Sequence, residues 1–139
     1  MSRRTRPALV LLVGYSALLL VAVLSPSSHD QSHAVLWLGY RLQDLGVRAA
    51  TFPRLEVVMN AVIVAPVAFL ATSVWPRHGW RDWTAFGFLA SLSVEAVQGL
   101  LLPDRQASFS DVVANTAGAL VGALLARSGD VARAGERRR

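Results

Sequence analysis

The sequence has no cysteine and no lysine, and only three histidines. Without cysteine there is no disulfide framework and no thiolate chemistry, and the redox compartment is left open. His29 and His33 stand four apart, a spacing that clasps a metal when helical. The Ser-Pro-Ser-Ser run before them predicts a loop instead, and no third ligand accompanies them. They read as solvated loop histidines, so neither a metal nor a cofactor is expected. Charge is also scarce, at 17% of residues, and no nucleophile motif is present. All 14 basic residues are arginine, and the net charge is +5. A pI near 11.2 raises the question of nucleic acid as a partner. The arginines flank apolar runs rather than lining a polar face with aromatics between them, so no nucleic acid is expected.

What the chain does have is hydrophobic sequence. Apolar residues make up 53% of 139, and mean hydropathy is +0.41. The length suits one domain. Residues 8–24 carry no charge, and about 17 residues at ~1.5 Å each cross most of a ~30 Å hydrocarbon core. A cleaved leader would look similar, but the small-residue exit is missing and Pro26 follows Ser25, so this reads as an uncleaved first span. Residues 57–75, 84–102 and 111–126 are read as three further spans, the last extendable to Phe109. Pro66 is expected to bend the second. Between the first two, Val35, Leu38, Leu42 and Leu45 recur at helical spacing beside Trp37 and Tyr40. That pattern predicts a short helix lying in the membrane interface. The expected fold is therefore an all-α integral membrane bundle of four transmembrane helices, with a short interfacial helix after the first span. A basic head (1–7) and a basic, disordered tail (127–139) flank the membrane domain (8–126).

Four spans place both ends of the chain on one side. That side collects ten arginines (Arg3, Arg4, Arg6, Arg77, Arg81 and the five from Arg127 onward). The other has only Arg41, Arg48, Arg54 and Arg105. The bias predicts cytoplasmic termini in the cell membrane.

Polar groups inside apolar spans are costly, so each asks for a reason. Ser91, Glu95 and Gln98 fall on one face of the third span. Asp111, Asn115, Gly118, Gly122 and Ala126 share a face of the fourth. Gly118 and Gly122 form a GxxxG packing element, and Ala61, Ala65, Ala68 and Thr72 give the second span a small-residue edge suited to close contact. With Asn60 near the outer end of the second span and Arg105 in the outer turn, the polar residues share one depth. Singly, Asn60 or Gln98 reads as an interhelical bond, and Asp111 as an acid complementing a helix start. Together, Asn60, Glu95, Gln98, Arg105, Asp111 and Asn115 form a candidate ligand-binding set, with Glu95 the candidate acid–base.

The spacing Glu95-x-x-Gln98, Arg105, Asp111, Asn115, Gly118 and Gly122 resembles the signature of the VanZ-like family. These are small bacterial membrane proteins named after a protein associated with teicoplanin resistance. Asn60 and Pro66 resemble the family's N-x-x-x-F-x-P-x-G element, with Val64 at its Phe position and Ala68 at its Gly position. The resemblance implies a role in cell-envelope physiology with an influence on glycopeptide susceptibility, and no agreed reaction.

Three functions compete. The first is binding of an amphiphile, a lipid-linked wall precursor or a lipoglycopeptide, with Arg105 on a phosphate or carboxylate and membrane lipids as surroundings. The second is an envelope-lipid or peptide-modifying enzyme using Glu95 as general acid–base. The third is a small proton-coupled exporter, which four spans support only if the protein dimerises.

Overall fold

The computed structural model describes residues 5–24, 29–101 and 108–136. These form five helices and no strand: α1 (Thr5–Val23), α2 (His29–Asp44), α3 (Phe52–Val74), α4 (Trp80–Leu101) and α5 (Phe109–Glu136). Four of them, all but α2, contain stretches long and apolar enough to cross a membrane.

The helix starts follow local chemistry. Thr51 adopts an extended conformation ahead of α3, and Pro53 lies in the first turn, where its missing N–H costs nothing. Helix α3 therefore begins earlier than hydropathy alone marks, and it runs unbroken through Pro66. Before α4, the Gly79 N–H donates to Asp82 Oδ2 at 2.7 Å, the reach-back that satisfies a free donor at a helix start. Two expectations fail here. Helix α2 already includes His29 and His33, so these are not loop histidines. Ser28, the last residue of the supposed breaker, is of a type favoured immediately before a helix. Helix α5 also continues to Glu136, through much of the tail expected to be disordered. Extending a helix already nucleated costs far less than starting one, and Ala132, Arg133 and Ala134 favour it in the added stretch.

Helix α3 is the hub: it packs on α1, α2 and α4 and most extensively on α5. The core along it is made of small residues. Ala68, Ala71, Ala114, Ala119, Ala123 and Ala126 are buried, whereas Val10, Leu11, Leu18, Val21, Leu100 and Phe109 are exposed. In water that inversion would leave an untenable apolar surface. Surrounded by lipid it is the favoured arrangement, because large side chains gain nothing by leaving hydrocarbon while small ones let backbones approach. Gly118 and Gly122 face the backbones of Ala61 and Ala65, so closely that a Cβ on either glycine would overlap a carbonyl oxygen. The small-residue edge of one span and the GxxxG of another are thus partners. Tyr15 adds a tie from α1, its hydroxyl donating to the Ile63 carbonyl at 2.9 Å.

Candidate functional site

Helix α4 presents Ser91, Glu95 and Gln98 on its inner face, and all three are buried. Each is met by a different helix or connection. Gln98 Nε2 donates to the Val23 carbonyl at the end of α1, at 2.9 Å. Glu95 Oε2 accepts the backbone N–H of Ser108 at 2.6 Å. The Ser108 carbonyl in turn accepts from Asp111 and Val112, which opens α5. Asn115 Nδ2 donates to Ser91 Oγ at 2.9 Å, one turn below Glu95 on α4.

Asp111 stands in the first turn of α5. The Asn60 amide of α3 and the Ser110 hydroxyl lie beside its carboxylate, and Glu56 lies within its electrostatic reach. Asn60 and Asp111 are half-buried rather than buried. The structure therefore brings Asn60, Glu95, Gln98, Asp111 and Asn115 to one end of the bundle, where α1 and α4 finish and α3 and α5 begin. Arg105 lies outside the described residues.

These groups divide by their hydrogen bonds, since Asn115 is half-buried like Asn60 and Asp111. Glu95, Gln98 and Asn115 each place a bond on a neighbouring segment and so fix the frame. Asn60 and Asp111 keep part of their surface open, and an amide beside a carboxylate both donates and accepts. Sequence reasoning missed Ser108, Glu56 and the Val23 carbonyl. Ser108-x-x-Asp111 ahead of an apolar run carries a helix-start pattern that points to Ser108. A backbone carbonyl such as that of Val23 has no sequence signal at all. Among the described residues no three His, Cys, Asp or Glu side chains gather as a metal set.

The Ser91–Asn115 pair offers a direct measurement. In a double-mutant cycle with Ser91→Ala and Asn115→Ala, the coupling is expected near ~0.6 kcal/mol, the usual size for interhelical bonds in membranes.

Residues 9–132 match the family model described as VanZ/LLP1. The chain belongs to the VanZ/LLP1 family. No curated protein and no solved structure matches it. The family match covers both the frame residues and the half-open Asn60 and Asp111.

Proposed function

We propose that this VanZ/LLP1 protein is a multi-pass cell-membrane protein, with both termini cytoplasmic, that binds an amphiphile at the outer end of the bundle. The amphiphile is of the class of lipid-linked wall precursors or lipoglycopeptides, and binding alters glycopeptide susceptibility. The carrying observation is the meeting of α3, α4 and α5 polar side chains at one end, with Asn60 and Asp111 left half-open. An amide–carboxylate pair suits a headgroup rich in hydroxyls and amides, because each such group needs directional donors and acceptors. Helix α2 lies in the interface beside this end. Its exposed Trp37 and Tyr40, with Arg41 at 5.6 Å over the Trp37 ring, support that position. At the opposite end Trp75, Trp83 and Phe86 cluster with His78 and fit the inner interface.

Deleting the gene is expected to change susceptibility to lipoglycopeptides. Wild type and Ser73→Ala, an exposed position far from the site, restore it; Asp111→Ala does not. An unchanged susceptibility panel, or full complementation by Asp111→Ala, sinks the reading. Orientation is checked on the same cells, since the native chain has no cysteine. An impermeant maleimide should label Arg105→Cys and spare Arg81→Cys.

A further inference from the structure

We infer that the amphiphile's hydrocarbon tail lies in a groove between α1 and α4, directly below the polar cluster; this rests on the amphiphile reading above. The groove encloses about 340 Å³. Leu20 and Val23 of α1, Val67 of α3, Phe86 and Val94 of α4 and Ala119 of α5 contribute to its walls. The size is that of a ligand cleft rather than a packing defect, which in folded chains seldom exceeds a water molecule.

Its mouth is the seam between α1 and α4. Helix α1 packs chiefly on α3, and Leu20 and Ala90, on the two sides of the seam, are exposed. At the end of the seam Gln98 bridges to the Val23 carbonyl, so the polar frame closes the groove above. From Trp83 to Val94 the groove follows roughly 16 Å of α4 at ~1.5 Å per residue. Its far end is Trp83, near the opposite end of α4, so a tail that starts at the polar cluster and fills the groove passes the middle of a ~30 Å hydrocarbon core.

The lining says what occupies it. A buried water needs two to four polar partners. Four lining residues carry polar side-chain atoms: Ser91 and Asn115 are bonded to one another at 2.9 Å, Ser16 lies on α1, and the buried Trp83 indole N–H lacks a hydrogen-bond partner among the described residues. Left empty, the walls would forfeit dispersion contacts along their whole length. A methylene chain restores those contacts and asks for no hydrogen bond. Ser91 and Asn115 connect the groove to the headgroup site, because Ser91 lies one turn from Glu95 on the shared α4 face. A ligand with its head at Asn60 and Asp111 therefore has a continuous path for its tail.

The test uses the full chain in phosphatidylcholine nanodiscs and a dodecyl glucoside carrying a diazirine near the chain end. Photolabelling should concentrate on positions such as Leu20, Ala90 and Val94 and be displaced by unlabelled dodecyl glucoside. Ala90→Phe, which fills the mouth from α4, should lower the yield about ten-fold, equivalent to ~1.4 kcal/mol. Ser16→Phe, from the opposite wall, should act alike, and Asp111→Ala should lower it by loosening the head. Label spread over outward positions such as Val13 and Leu100, indifferent to Ala90→Phe, overturns the groove. If weak methyl glucoside binding still depends on Asp111 in that case, the headgroup reading survives alone. Groove label that ignores Asp111→Ala overturns the linked head and tail and takes the headgroup reading with it. A chain-to-chain adduct through Ala90 would put a second copy in the seam and overturn the tail.

Discussion

Gly118→Ala is expected to destabilise the bundle by about 3 kcal/mol, the upper range for overpacking, with Gly122→Ala close behind. The added methyl at either position overlaps the carbonyl oxygen of Ala61 or Ala65, which are backbone atoms of a helix with no freedom to withdraw. Trimming the facing side chain therefore brings no relief: Ala61→Gly should fail to rescue Gly118→Ala. Gly87 supplies the contrast. Its added Cβ meets the Cβ of Ala119, a side-chain atom, so Ala119→Gly should restore Gly87→Ala to within a few tenths of a kcal/mol. Unfolding in mixed micelles, followed by circular dichroism, separates the two cases. Rescue of Gly118→Ala by Ala61→Gly would mean that α3 and α5 do not meet backbone to backbone.

That contact explains why so much of the fold was legible. Small residues at four-residue spacing appear on two spans, and lipid gives them only one use, close approach to another helix. The face carrying Ser91, Glu95 and Gln98 was legible for the complementary reason, since a polar stripe on an apolar helix must turn from lipid. Less was visible where backbone atoms or helix ends decide. Hydropathy does not mark the start of α3 at Phe52, because the extended backbone of Thr51 and the fixed φ of Pro53 set it rather than burial. The run before His29 looks like a breaker when it is compatible with a helix start, and the end of α5 hides in a polar sequence that helix propagation carries along. Within the polar cluster, residue types pointed to the inner face of α4 but not to the bonds made there. Gln98 is held by a main-chain carbonyl and Glu95 by a main-chain N–H, and neither partner leaves a trace in residue identity.

Glu95 carries the second large expectation. Its carboxylate is buried and accepts the N–H of Ser108 at 2.6 Å, which fastens the beginning of α5 to α4. Glu95→Ala removes that acceptor and leaves a cavity, and should cost about 2 kcal/mol, in the range for leaving a buried donor unsatisfied. Glu95→Gln keeps an oxygen in the same place to accept the Ser108 N–H, so it should retain most of the stability. The functional split is sharper. If Glu95 serves as part of the frame, Glu95→Gln should preserve both glycolipid labelling and the susceptibility phenotype, while Glu95→Ala lowers both together with stability. An acid–base role makes the opposite demand: ligand binding retained and the phenotype lost in Glu95→Gln, since an amide cannot exchange the proton. The structure gives this carboxylate a backbone donor at the start of a helix, a bond that an oxygen acceptor of either kind can make. Loss of phenotype with intact labelling in Glu95→Gln would move the residue from frame to chemistry.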